Sequence, residues 1–177
     1  MVESDFNRIL THTVNHLPRS RAHKISDGAG GKAVQNPFDS FGILFGLPAY
    51  IESKYVKGLY AFNLSRIEDH QYDNLEFYGR ELSESGIPHY CLIPVFFYSP
   101  REMKRVLFFD FEFINSEHKK GVSSFKQKTI ISWMEQGFFF DIKALKFLNE
   151  EGKEVRKDTI LDLTKEALDK KIIKCYV

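Results

Sequence analysis

Two apolar runs limit what this chain can become. HYCLIPVFFYS and VLFFDFEFINS lie on either side of a short PREMK segment. Both are rich in β-branched and aromatic residues and read as strands. The segment between them predicts a hairpin. Strands near 39–46, 48–56 and 59–63 precede this pair. Helical patterns supply the cover, so the expected class is α/β, a central mixed β-sheet flanked by helices.

The first helix is expected over residues 3–16, where Phe6, Ile9, Leu10 and Val14 share a face and Pro18 follows. A second is expected in SRIEDHQYDNLEFYGRELSESG. Ser65 and Glu68 have capping-box spacing, and Gly86 with Pro88 supplies the stop. Its apolar stripe is Ile67, Asn74, Leu75, Tyr78 and Leu82. Gln71 falls inside that stripe, while the acids fall mostly outside it. A third helix starts near Ser123 or Ser124 and runs to Gln136, and another covers 159–170. FFFDIKALKFL fits strand or helix, and KIIKCYV fits a closing strand or a tail. Residues 19–36 hold Gly28, Gly30 and Gly31 with little apolar periodicity, which predicts a mobile basic loop.

At 177 residues and 43% hydrophobic, with 17 phenylalanines, the chain can fill a core. One domain over 1–177 is the expectation. Trp133 and the phenylalanines at 138–140 are read as core or dimer surface. Cys91 and Cys175 have no metal-ligand spacing, and Cys91 is read as a buried thiol. No apolar stretch reaches the length of a membrane span, and no signal pattern opens the sequence. The expectation is a soluble cytoplasmic protein.

The net charge of +1 neither demands nor excludes a polyanionic partner. Its distribution says more. From Phe6 to Phe38, Arg8, Arg19, Arg21, Lys24 and Lys32 face Asp27 alone, a local +4. From Glu117 to Lys128 four lysines face one acid, while Glu68 to Glu84 carries six acids against Arg80. Each such block also fits a solvated face.

PAYIESKY, residues 48–55, sets two opposite charges in an apolar strand. Side chains two apart point the same way, so Glu52 and Lys54 share one face, and Ala49, Ile51 and Ser53 the other. Buried charges need a partner or an ion. One reading is a surface ion pair on a half-exposed strand. The other is a metal-dependent nuclease core, with Asp39 upstream in the pattern Asp39-x12-Glu52-x-Lys54. Two carboxylates hold Mg²⁺, and a lysine beside them can orient water or meet transition-state charge.

The stretch PFDSFGILFGLPAYIESKYVKGLYAFNLSRIEDHQYDNL resembles the core of RecU-like Holliday junction resolvases, in the PD-(D/E)xK nuclease superfamily with its restriction-endonuclease-like fold. The matching features are Asp39, Glu52 with Lys54, the AFNL segment, and His70 with Gln71. The resemblance covers residues 37–75 and extends more weakly to 142, where GVSSFKQKTI is similar to a lysine-rich family segment. It implies that Asp39 and Glu52 bind Mg²⁺ (or Mn²⁺), that Lys54 assists the attacking water, and that Gln71 positions water or a metal-bound group. An added acid from the first helix would be Glu3, with Asp5 second; His70 receives no catalytic role. It implies a homodimer acting on four-way or otherwise branched DNA. The family's long stalk is replaced here by the basic loop 19–36, where Arg19, Arg21, Lys24 and Lys32 are the candidate DNA contacts. A restriction-type or less structure-selective endonuclease, or a binding module without turnover, are the competing readings.

Overall fold

The hairpin predicted from the two apolar runs is the centre of the molecule. In the computed structural model, which describes residues 3–25, 36–99 and 103–176, β6 (Tyr90–Ser99) and β7 (Met103–Asp110) pair from Leu92↔Asp110 to Ser99↔Met103. Their side chains alternate between two cores. Ile93, Phe97, Leu107 and Phe109 face one, and Leu92, Phe96, Val106 and Phe108 face the other. Burial on both faces explains why neither strand shows an apolar–polar alternation.

The sheet extends outward in the order β1-β2-β3-β6-β7-β9-β10. Its outer strands are β1 (Arg21–Lys24), β2 (Ser40–Leu44) and β3 (Leu47–Ile51) on one side, β9 (Phe140–Leu148) and β10 (Glu154–Leu161) on the other. β3 pairs β6 in parallel, and β4 (Lys54–Lys57) continues along the same strand. The other pairings are antiparallel, so the sheet is mixed as expected.

One face is covered by α1 (Glu3–His16), whose Phe6, Ile9, Leu10 and Val14 are buried as the periodicity predicts. The opposite face carries α2 (Asp69–Glu84), α3 (Phe111–Lys119), α4 (Gln127–Glu135) and a small ribbon of β5 (Phe62–Asn63) with β8 (Ser124–Phe125). Trp133 is 1% exposed within that core. Cys91 is buried as expected, and α5 (Lys165–Lys171) caps the α1 side through Leu168.

Several boundaries differ from expectation. Residues 21–24, read as loop, form β1, which buries only Ala22 and so leaves no periodic signal. Their stability comes from the ladder with β2. Gly42 makes that ladder close: a Cβ there would lie 1.9 Å from the Arg21 carbonyl oxygen. The second apolar run is strand only to Asp110, whose carboxylate accepts the Glu112 N–H and starts α3. Helix α2 begins at Asp69 with the Glu68–Gln71 box, replacing the Ser65–Glu68 one, because Leu64–Arg66 form a separate 3₁₀ turn. Ser124 belongs to β8, and Lys126 is the cap of α4. The ambiguous FFFDIKALKFL is β9, and the helix expected from 159 starts at Lys165 because β10 runs to Leu161. The closing segment makes one bridge, Phe109↔Ile173, and Tyr176 stacks on Trp133.

The feature that shapes the site is a break in the β3–β4 strand. Ile51 pairs Leu92 and Lys54 pairs Val95, so the register is unbroken and places Ser53 opposite Pro94. Proline has no N–H to donate to a ladder. The last β2–β3 pair is Ser40↔Ile51. Beyond it β2 parts from its neighbour, and Asp39 and Glu52, next in register, face each other across the opening.

Candidate active site

At this opening, side chains replace the missing ladder bonds. The Asp39 N–H donates to Glu52 Oε2 at 2.9 Å, and the Ser53 N–H donates to Asp39 Oδ2 at 2.9 Å. Ser53 Oγ lies 2.6 Å from the same Asp39 oxygen and also meets the Asn7 side chain on α1. These bonds lock the two carboxylates to each other's strand.

The alternation argument holds for Glu52 and Lys54. They share the face toward α2, and Lys54 Nζ donates to Glu52 Oε1 at 2.5 Å. Glu52 is 1% exposed and Lys54 7%. The pair is therefore not a surface ion pair. Gln71 closes the group: its Nε2 donates to Glu52 Oε1 at 2.8 Å, and its Oε1 accepts from Lys54 Nζ at 3.1 Å. The same Oε1 accepts the Glu68 N–H at 3.0 Å. Gln71 thus serves as the N3 residue of the capping box and as the brace of the ion pair. That explains a glutamine on an apolar stripe.

Electrostatically the cluster is short of positive charge. Burial first, and then the charge of Asp39, push the Glu52 carboxyl up to about 7, against the opposing pull of Lys54 and of the Asp39 N–H. Glu3, in the first turn of α1, is also raised by burial, with Lys54 and Arg66 lowering it and Asp39 raising it. Glu3 therefore lies within electrostatic reach of this site. Asp5 is turned away, with Arg8 3.8 Å from its carboxylate and a cavity beside Tyr98 and Lys157 in front of it. Asn7, one turn beyond Glu3, reaches Ser53 from the same helix face.

The basic candidates separate. Lys24 pairs Ser40, and the following Ile25 N–H donates to the Asp39 carbonyl, so Lys24 borders the site. Arg21 pairs Ile43, and Arg19 lies over Gly46 at the far end of the β2–β3 hairpin. At about 3.3 Å per residue Arg21 stands roughly 13 Å and Arg19 roughly 20 Å from Asp39. Lys32 lies outside the described residues. His70 holds no position in the cluster: its Nε2 is 3.0 Å from the Asn36 carbonyl and its Nδ1 is 3.3 Å from Glu68.

Sequence reasoning missed Asn7, Ser53 and Arg66. Strand alternation puts Ser53 on the face opposite Glu52, which is where α1 lies, but nothing in the sequence ties α1 to that strand. Among the described residues no group of three or more histidine, cysteine or acidic side chains is arranged to hold a metal ion. The candidate ligands are the Asp39–Glu52 pair, with Glu3 nearby.

No protein-family profile matches the chain, and no curated protein matches it. Among solved structures it resembles Hjc of Archaeoglobus fulgidus, a Holliday junction resolvase from an archaeal hyperthermophile. The identity is 20% and the TM-score 0.33, over 52% of this chain and 64% of that one. The likeness therefore spans less than two thirds of that protein.

Proposed function

We propose that this chain is a metal-dependent DNA endonuclease acting on branched DNA, with Asp39, Glu52, Lys54 and Gln71 as its catalytic group. The observation that carries this reading is the buried Glu52–Lys54 pair, braced by Gln71 and facing Asp39 where the sheet opens. A purely structural pair gains nothing from a second carboxylate that raises its own acid. A site for a cation and a phosphodiester does.

The residues present fit a hard divalent cation such as Mg²⁺ or Mn²⁺. Mg²⁺ sites commonly use one or two carboxylates and complete their shell with water and substrate phosphate. A third protein ligand is therefore not required, and Glu3 is the nearest reserve. Asp39 and Glu52 would hold the ion, which would supply charge neutralisation and a more acidic water. Lys54 has three N–H donors, of which Glu52 and Gln71 take two. The third is available to an attacking water or a phosphoryl oxygen. Gln71 fixes where that donor points. Lys24 and the rest of the basic segment would meet the DNA backbone. Resolving a four-way junction takes two cuts, so the reading includes a second copy of the chain.

The test is cleavage of a mobile four-way junction beside a matched linear duplex, in Mg²⁺ and in Mn²⁺, with wild type and Glu52→Gln. Symmetric nicking of the junction alone, lost in Glu52→Gln, is the expected result. Equal cutting of the duplex would keep the site and replace branched-DNA selectivity with a restriction-type or general endonuclease. Cleavage of neither DNA would overturn the proposal.

A further inference from the structure

The lysine-rich segment 117–128 is divided by the fold. Lys119 is 2.6 Å from Glu76 and Lys120 2.7 Å from Glu117, so both are neutralised in place. Lys126 and Lys128 are exposed and make no ion pair or side-chain hydrogen bond among the described residues. The same holds for Lys57 at the end of β4 and Arg66 in the 3₁₀ turn. Elsewhere ion pairing is common: Lys143, Lys146, Lys165 and Lys170 each have an acid within 2.9 Å.

Three of these cations, Arg66, Lys126 and Lys128, lie on or beside one ribbon. Phe62 pairs Phe125, Asn63 pairs Ser124, and the Leu64 N–H donates to the Ser123 carbonyl. In that register Lys126 falls opposite Ala61, while Arg66 lies past the other end of the ribbon. Arg66 is at the end near the site, because it lies two residues before Glu68, whose N–H donates to Gln71 Oε1 within the cluster. The two joined segments, 53–67 and 118–134, contain no aspartate or glutamate, although the chain has roughly one acid in seven residues. Exposed Asn63, Ser65 and Ser123 lie between the cations, and Tyr60 is 65% exposed at the distal end. Cations without acids, interleaved with small hydrogen-bonding side chains, are the composition of a phosphate-backbone contact.

We infer that the β5–β8 ribbon and the first turn of α4 form a second DNA-backbone surface. It takes the strand leaving the site, with Arg66 gripping the phosphate nearest the cut and Lys126 and Lys128 those beyond. At about 3.3 Å per residue the stretch from Arg66 to the position opposite Lys126 is roughly 15 Å. The purpose of this surface rests on the nuclease reading, but its affinity for DNA does not.

The experiment measures binding without cleavage. Full-length Glu52→Gln protein is titrated against a labelled duplex and a four-way junction by fluorescence anisotropy, from about 50 to about 200 mM salt. It is compared with the same protein carrying Lys126→Ala with Lys128→Ala, or Arg66→Ala. A control carries Lys143→Ala with Lys146→Ala. The expected result is binding weakened on the order of tenfold or more by the double ribbon change, with the salt slope reduced by roughly one per lysine removed. The control should bind as the parent does. Equal binding by ribbon and control variants, with the parent binding DNA, overturns this inference and leaves the nuclease reading standing. Parent protein that binds neither DNA overturns both.

Discussion

Two of the buried acids that have basic partners, Asp158 and Glu52, behave in opposite ways. Asp158, on β10, receives both Arg156 Nε at 3.1 Å and Nη2 at 2.7 Å, and His16 of α1 at 3.2 Å. Hydrogen bonds from Arg156 hold its carboxyl below the usual range. Glu52 receives Lys54 and Gln71 on one oxygen, yet burial and Asp39 hold it far above that range. In the first cluster donors outnumber the charge they serve, which is how a structural pair is built. In the second, the charge of a neighbouring carboxylate works against the one buried ammonium. On the proposed reading Glu52 is the acid that a bound cation would serve, and four experiments test the difference.

The largest expected effect is on turnover. Glu52→Gln or Asp39→Asn should lower DNA cleavage by roughly 10²–10⁴-fold, the range of a lost participating group. Asp158→Asn should leave cleavage by the folded protein within a few-fold. Comparable losses from all three, in single-turnover assays, would erase the distinction.

The next effect is on stability. Lys54→Met leaves Glu52 without its ammonium, and removing one member of a buried pair costs about 3–5 kcal/mol. That cost should show in urea unfolding at pH 8 and shrink at pH 5, where Glu52 can protonate. The double variant Glu52→Gln, Lys54→Met should regain most of the loss.

The pH dependence without metal separates the clusters by sign. Glu52 has its carboxyl raised from 4.5 to about 7. The unfolded chain therefore ionises first, the folded chain holds the extra proton, and stability falls as pH rises between those values. At 1.36 kcal/mol per pH unit the fall is about 3 kcal/mol. Asp158 is lowered, so its contribution is present at neutral pH and is lost only as pH falls through its folded value. Unfolding midpoints from pH 5 to 7.5 should decline in wild type and in Asp158→Asn, but flatten in Glu52→Gln. Added Mg²⁺ should recover the decline, and bind more tightly as pH rises.

The smallest effect belongs to Gln71. Gln71→Ala removes the brace and the cap bond together, for about 1 kcal/mol of stability. Its cost in cleavage should be about tenfold and appear in kcat with little change in KM. A change in KM alone would make Gln71 a DNA contact.

Much of this site was legible in the sequence because strand alternation is local. Glu52 and Lys54 are two apart, and any strand puts them together. Gln71 was visible as a polar residue on an apolar stripe. The partner of each strand was not local. β1 buries only Ala22, so hydrogen bonding to β2 rather than periodicity defines it. The β9–β10 ribbon is exposed along much of its length and charged, so residues 154–161 carry no apolar pattern, and a helix starting at 159 looked plausible. The FDFEFINS run kept its apolar character through a change from strand to helix. Only the Asp110 cap marked the boundary. Asn7 and Ser53 meet through tertiary packing that no spacing announces.

Pro94 has a consequence for the order of assembly. Asp39, Glu52, Lys54 and Gln71 come from one stretch of 33 residues, so their mutual contacts have short loops to close. The strand that buries them arrives later in the chain and pairs in parallel, a slow topology. A fully complementary β6 would zip along the whole β3–β4 strand and pull it straight. By withholding the N–H that the Glu52 carbonyl would otherwise accept, Pro94 lets β6 dock on either side of the bend while the bend persists. The late strand thus completes the core without rewriting the geometry that the early segment set.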